Sequence, residues 1–123
     1  NNIENVQFLK ANLDTFFKSG QLPNRIPKPD IIIVDPPRAG MHPDMAQYIP
    51  KLKAKKIIYV SCNPTTQARD AKMLCEKGYE LKKSVMVDMF PHTPHIENIV
   101  LFSEINLVQK FLKDLNIFSK ICL

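Results

Sequence analysis

Two uninterrupted β-branched runs, Ile31-Ile32-Ile33-Val34 and Ile57-Ile58-Tyr59-Val60, limit what this chain can fold into. Runs this short and this apolar suit strands buried on both faces of a parallel sheet. Half-exposed antiparallel strands would alternate instead. Each run stops abruptly at polar residues and proline: the first gives way to Asp35-Pro36-Pro37-Arg38-Ala39-Gly40, the second to Ser61-Cys62-Asn63-Pro64. Asn63 followed by Pro64 reads as the cap and first position of a helix. Both polar turns therefore stand at strand carboxyl ends, where open α/β sheets place their ligands.

Helical spacing fills the intervals. Pro43 suits a helix start, and Met45, Ala46, Ile49 and Leu52 share a face that Pro50 should break or restart. Over residues 65–77, Ala68, Ala71, Leu74 and Cys75 fall on one side, and Gly78 closes the helix. The order strand, helix, strand, helix implies parallel strands joined by right-handed crossovers. Residues 81–89 and 96–103 read as two more strands, which should pair antiparallel because no helix separates them. Upstream, residues 5–12 alternate weakly and read as a short strand ending at Asn12. Residues 14–18 suit a helical turn, and residues 19–29 have loop composition. Downstream, Leu107, Val108, Phe111, Leu112, Leu115 and Phe118 recur at helical spacing, which fits packing or a partner contact better than a membrane anchor.

At 123 residues the chain suffices for one modest core but is short for a complete α/β enzyme. Its formal charge of +5 leans weakly toward polyanionic partners. Cys62, Cys75 and Cys122 are odd in number and lack metal-type spacing, and no signal peptide or long apolar span is present, so a reducing, cytoplasmic setting is expected. Position singles out Cys62. The positive end of the following helix points back at its turn and favours a thiolate nucleophile; a small buried apolar residue would satisfy the same pattern. His92 and His95 near Cys62 would make a poor zinc site without a fourth ligand, so no metal is expected.

Taken together, Asp35-Pro36-Pro37-Arg38 with Gly40, then Ser61-Cys62-Asn63-Pro64, then Asp88-Met89-Phe90-Pro91-His92-Thr93 with His95 and Glu97 resemble the RNA uracil-5-methyltransferases that modify 23S ribosomal RNA and the tRNA T-loop. The resemblance covers residues 1–103. It implies the C-terminal half of a Rossmann-like, S-adenosylmethionine-dependent methyltransferase sheet: an α/β fold of parallel strands with a terminal antiparallel hairpin. It implies that Cys62 is the nucleophile that adds to carbon 6 of uracil and Glu97 the base that later removes the proton from carbon 5. Asp35 would contact the cofactor near the transferred methyl, and Asn12 its adenosine portion. Turn chemistry alone would also account for Asp35 and, more readily, for Asn12. Asn63 most simply caps the helix. Arg38, Arg69 and the lysines at 51, 53, 55 and 56 could meet RNA phosphate, although a lysine-rich surface is ordinarily just solvated.

The same resemblance marks what is missing. The three glycines, Gly20, Gly40 and Gly78, form no glycine-rich cofactor turn. Residues 1–103 are thus expected to be a partial catalytic domain lacking its first two strands, with residues 104–123 a C-terminal amphipathic helix or tail. In the usual strand order, 3-2-1-4-5-7-6, the strand over residues 5–12 would have lost its neighbour, so residues 1–29 should be displaced, poorly ordered or paired somewhere non-native while residues 30–103 keep the native half-sheet, and the chain alone should be inactive and bind cofactor weakly. Two other readings stay open: a non-catalytic RNA-binding or assembly module, and an amino-group methyltransferase using Asp35-Pro36-Pro37. The second has no need of Cys62.

Overall fold

Both aliphatic runs form strands, and they lie side by side. A computed structural model of the chain describes residues 3–12, 15–16, 27–93, 95–106 and 108–109. The elements in order are β1 (Ile31–Val34), α1 (Pro43–Tyr48) continuing into a 3-10 turn (Ile49–Leu52), β2 (Lys56–Ser61), α2 (Pro64–Glu76), β3 (Tyr79–Val87) and β4 (Glu97–Glu104). Pro50 does restart the first helix, since the α-helical part ends at Tyr48 and the tighter turn follows. Asn63 caps α2 by accepting from the Thr65 N–H at 3.1 Å, and Gly78 ends it at a left-handed φ of 96°.

The sheet order is β1-β2-β4-β3. β1 runs parallel to β2 with Ile31 opposite Lys56 and Val34 opposite Tyr59, whereas β4 runs antiparallel to β2, from Lys56 opposite Ser103 to Ser61 opposite Asn98. β3 pairs antiparallel on the far side of β4, with a register shift between Leu81 and Lys83. The expected antiparallel hairpin is therefore present, with its second strand inserted next to β2.

Alternation along the strands sorts the side chains. Val34 on β1, Ile57 and Tyr59 on β2, and Val100 and Phe102 on β4 point to one face, where they pack with Met41, Ala46, Ile49, Leu74 and Tyr79 into a single core. Each large apolar side chain fully buried there contributes about 1.5–3 kcal/mol. The intervening residues, Ile58 and Val60 on β2 and Ile99 and Leu101 on β4, are only half-buried.

Three expectations need correction. β1 is not buried on both faces: Ile31 is 52 % and Ile33 69 % exposed, because β1 pairs with β2 alone among the described residues and the helices cover one face. Residues 5–12 form no strand; residues 3–12 are exposed and join no ladder, and an extended segment without a hydrogen-bonding partner has nothing to hold it as one. The inward face of α2 matches the apolar set only in part, through Leu74 and Ala71. Gln67, Asp70 and Leu74 are buried, whereas Ala68 and Cys75 are exposed. The amphipathic tail falls almost wholly outside the described residues.

The two sheet edges differ. β3 is guarded by charged Glu80, Lys82 and Lys83 and by its register shift, whereas β1 presents bare isoleucine.

Candidate active site

Topology brings three of the four predicted site residues to one end of the sheet. Asp35 is the first residue beyond β1, Cys62 the first beyond β2, and Glu97 the first of β4. The ladder pairs Val60 with Ile99 and Ser61 with Asn98. Cys62 and Glu97 each adjoin that last pair, Cys62 one residue beyond β2 and Glu97 at the start of β4. Ser61 and Asn98 belong to the helix-covered face, so Glu97, inside β4, alternates onto the opposite, less covered one, while Asp35 and Cys62 stand just past their strand ends. Cys62 and Glu97 are half-buried and Asp35 is exposed. Asn12 belongs to no strand: its carbonyl accepts from the Phe16 N–H at 2.9 Å and from Thr15 Oγ1 at 3.1 Å, which makes it the cap of a turn.

The cysteine's turn is held on both sides. The Asn63 N–H donates to Ser61 Oγ at 3.0 Å, and that hydroxyl donates to the Asn63 carbonyl at 3.2 Å. Asn63 Nδ2 and Thr66 Oγ1 both donate to the Arg38 carbonyl, at 3.1 and 3.2 Å, so the start of α2 is tied to the loop after β1. Further along α2, fully buried Asp70 accepts from the Met41 N–H and the Tyr59 hydroxyl, each at 2.7 Å, and from Arg69 Nε at 2.9 Å. Burial, reinforced by the hydrogen bond and charge of Asp70, holds the Tyr59 hydroxyl far above its ordinary titration range.

Gly40 lies under this bridge at φ 85°. A side chain there would put its Cβ 2.6 Å from Arg69 Nη2 and 2.7 Å from Asp70 Oδ2, so only glycine fits.

Gln67, also buried, works toward the other wall. Its Nε2 donates to the Tyr59 and Asn98 carbonyls at 2.9 and 3.0 Å, while Asn98 Nδ2 donates back to Gln67 Oε1 at 2.6 Å. Ser84 Oγ on β3 completes the chain by donating to Asn98 Oδ1 at 2.9 Å. Glu97 is thus flanked by a residue anchored through its side chain to both α2 and β3. The loop that precedes it turns at His92, whose φ of 69° is left-handed, and closes with the Thr93 N–H donating to the Phe90 carbonyl at 3.1 Å. Among the described residues no group of three or more His, Cys, Asp or Glu side chains is arranged to hold a metal ion, and no helix is long and apolar enough to cross a membrane.

Sequence reasoning missed Gln67, Asp70 and Tyr59 as parts of this site. The signal was there: two polar residues at positions i and i+3 of a helix, with Leu74 at i+7, occupy the stripe that a core-facing helix keeps apolar.

A pocket of about 750 Å³ adjoins the site and is lined by Ile32, Ile33, Asp35, Pro36, His42 and Met45 among others. Ile32 and Ile33 point to opposite faces, so the pocket wraps around the edge of β1 that faces away from β2. Its wall is mostly apolar, with Asp35, His42 and Arg69 among its lining, and its size is within the roughly 300–1,000 Å³ usual for small-molecule sites.

Comparison with known proteins agrees with the motif reading. The sequence profile of the family described as tRNA (uracil-5-)-methyltransferase matches residues 25–105. The chain is 45 % identical over 105 residues to the 23S rRNA (uracil(1939)-C(5))-methyltransferase RlmD of Acinetobacter baumannii strain AB0057, covering 85 % of this chain and 22 % of that protein. It is 39 % identical over 107 residues to an uncharacterized RNA methyltransferase of Chlamydia trachomatis, covering 84 % and 27 %. A solved structure, Pyrococcus abyssi tRNA (uracil-54, C5)-methyltransferase in complex with S-adenosyl-L-homocysteine, superposes with a TM-score of 0.54 at 51 % identity, over 59 % of this chain and 18 % of that one. The chain thus spans about a quarter of the length of the curated relatives it matches, and its sheet has the fold of part of a methyltransferase domain.

Proposed function

Because the chain belongs to the tRNA (uracil-5-)-methyltransferase family, we propose that it is part of the catalytic domain of an enzyme that methylates carbon 5 of uridine in ribosomal or transfer RNA, using S-adenosylmethionine. The observation that supports this reading is the ladder that ends with Ser61 opposite Asn98, which leaves Cys62 and Glu97 each one residue from that last pair, at the sheet end where Asp35 also stands.

S-adenosylmethionine supplies an electrophilic methyl group on a sulfonium. The residues of this chain do the rest. Carbon 5 of uracil is a poor nucleophile on its own. The thiolate of Cys62 adds to carbon 6, and the electron pair of the 5,6 double bond becomes available at carbon 5. Once carbon 5 carries the methyl group it also still carries its proton. Glu97 accepts that proton, the electrons of the carbon–hydrogen bond restore the double bond, and the Cys62 sulfur leaves as thiolate. Without Cys62 there is no reaction, and without Glu97 the RNA stays bound to the protein.

In this reading Asp35 is part of a mostly apolar pocket wall and offers a carboxylate to a cationic ligand. The described residues make up only that wall, so the cofactor affinity of this chain alone is expected to be low. Asn12 enters the cofactor set by resemblance alone, since in the structure it caps a turn.

The test uses the full-length polypeptide carrying these residues and RNA containing 5-fluorouridine, whose fluorine cannot leave as a proton does. A covalent adduct is expected with the wild type and none with Cys62→Ala. With natural RNA, Glu97→Gln should accumulate the adduct. An adduct with Cys62→Ala, or normal turnover with Glu97→Gln, rejects the assignment. RNA binding without any adduct in the wild type would favour a non-catalytic RNA-binding module.

A further inference from the structure

We infer that Asp70 is a positioning residue that fixes the Cys62 turn against the Asp35 loop, and that the reaction depends on it although it touches neither substrate nor cofactor. This rests on the reading of Cys62 and Asp35 given above.

Asp70 joins three elements at one point. The loop after β1 contributes the Met41 N–H, β2 the Tyr59 hydroxyl, and α2 itself the Arg69 guanidinium, with Nη2 at 2.8 Å. Arg69 works in the opposite sense on the same loop, donating from Nη2 to the Ala39 carbonyl at 3.1 Å. With the Arg38 carbonyl taken by Asn63 and Thr66, the carbonyls of residues 38 and 39 and the amide of residue 41 are all held by α2. The residue between them, Gly40, has no room for a side chain. Residues 63, 66 and 70 are spaced to share one helical face, so a single surface of α2 grips the loop along its length. That surface belongs to the helix-covered side of the sheet.

Holding the fold together does not require a charge here. A buried carboxylate costs desolvation energy, and an apolar pair of similar volume would often serve stability as well or better. What the carboxylate adds is geometry: its two oxygens accept only donors in fixed directions, and every one of them is supplied. It ties the loop that begins at Asp35 to the strand that ends one residue before Cys62, and the relative placement of those two groups must hold to about 0.5 Å for efficient chemistry.

Asp70→Asn keeps the volume but turns one acceptor oxygen into an NH₂ group. Whichever way the amide points, it faces a donor, either Arg69 or the Met41 and Tyr59 pair.

The experiment compares wild type, Asp70→Asn and Tyr59→Phe in the full-length polypeptide, well below their unfolding midpoints. Two rates are read: methyl transfer to RNA, and alkylation of Cys62 by iodoacetamide, followed by peptide mass spectrometry with exposed Cys75 as the internal reference. For Asp70→Asn, kcat should fall about 30- to 100-fold with KM for RNA within about threefold, and the Cys62:Cys75 alkylation ratio should shift at least about fivefold. Tyr59→Phe deletes one of the bonds to Asp70 and should lower kcat by about three- to tenfold, with KM again unchanged. A folded Asp70→Asn protein with kcat and alkylation ratio near wild type overturns the inference. If Asp70→Asn does not fold, a Tyr59→Phe protein with wild-type kcat and alkylation ratio overturns it instead. A wild type that transfers no methyl group defeats the functional reading, and the alkylation ratio alone then decides whether Asp70 sets the turn.

Discussion

The two ends of β2 are built for different purposes. At the amino end the hydrogen bonds close the bottom of the sheet: the Lys56 N–H donates to the Asp30 carbonyl at 3.2 Å, the Glu104 N–H to the Lys55 carbonyl at 3.0 Å, and the Tyr79 hydroxyl to the Ala54 carbonyl at 2.8 Å. Nearly all of these satisfy main-chain groups where strands begin and end. At the carboxyl end, side chains from α2 reach out instead: Asn63, Thr66, Gln67, Arg69 and Asp70 hold the loop after β1 and the start of β4. Buried polar side chains cost more than apolar ones unless fully partnered, and every one among the described residues is partnered. The difference teaches that stability and chemistry are separable along one strand. Changes at the carboxyl end should remove reaction out of proportion to stability, and changes at the amino end should do the reverse.

The largest separation is expected at Cys62. Cys62→Ala should reduce methyl transfer by about 10⁴-fold or more while moving the unfolding midpoint by no more than about 2 °C, since the side chain is small and half-buried. A parallel loss of stability, followed by thermal unfolding, would break the comparison by making the thiol structural. Gln67→Leu comes next. It leaves the Tyr59 and Asn98 carbonyls without their side-chain donor, at a cost of about 2–3 kcal/mol in denaturant unfolding. Because Asn98 adjoins Glu97, the release of the covalent adduct should slow as well. Loss of stability with normal release would confine Gln67 to the fold and sharpen the boundary between the two roles.

How much of this was legible beforehand depended on whether a residue's task was local. The strand ends at Asp35 and Cys62, the Asn63 cap and the left-handed Gly78 depend on neighbours in sequence, and their residue types announced them. The burial of Ile31 and Ile33 depends on which strand lies beyond β1, and no β-branched run carries that information. Residues 5–12 alternate as a strand would, but alternation supplies no partner. The case of α2 differs again. Apolar periodicity pointed to Ala68 and Cys75, whereas Gln67 and Asp70 lie inside because the helix faces main-chain carbonyls and a loop amide there, not hydrocarbon. A polar residue on a core-facing stripe reads as an error until its partners, distant in sequence, are known.

At the amino end the test is Tyr79→Phe. The variant should lose about 1 kcal/mol at neutral pH with the bond to the Ala54 carbonyl, and methyl transfer should be unaffected. Burial, helped by the negative charge of Glu104, pushes the Tyr79 hydroxyl up from 10.0 to about 12. The neutral form is therefore favoured in the folded state. Its stabilisation is complete below pH 10, where the unfolded hydroxyl is also neutral, and is lost as pH rises toward 12. Unfolding midpoints measured across that window should fall more steeply for wild type than for Tyr79→Phe. Equal slopes would mean that the hydroxyl is not confined in the folded protein.

Lys55→Ala should have the smallest effect of all. Lys55 Nζ lies 2.9 Å from Asp30 Oδ1, and the hydrogen bond and charge of each partner favour the ionised form of the other, holding the Asp30 carboxyl below its usual range and the Lys55 ammonium above. Yet both side chains are more than 70 % exposed, so water already solvates the charges well and the pair gains little by meeting. The depressed carboxyl sets the sign: any contribution exists only above the ordinary carboxylate range and vanishes as Asp30 is protonated on acidification. Lys55→Ala should leave both the unfolding midpoint at pH 7 and methyl transfer unchanged. A drop in the midpoint that disappears at acid pH or in high salt would show that this pair takes part in closing the sheet, and the amino end would then rest on charge as well as on main-chain hydrogen bonds.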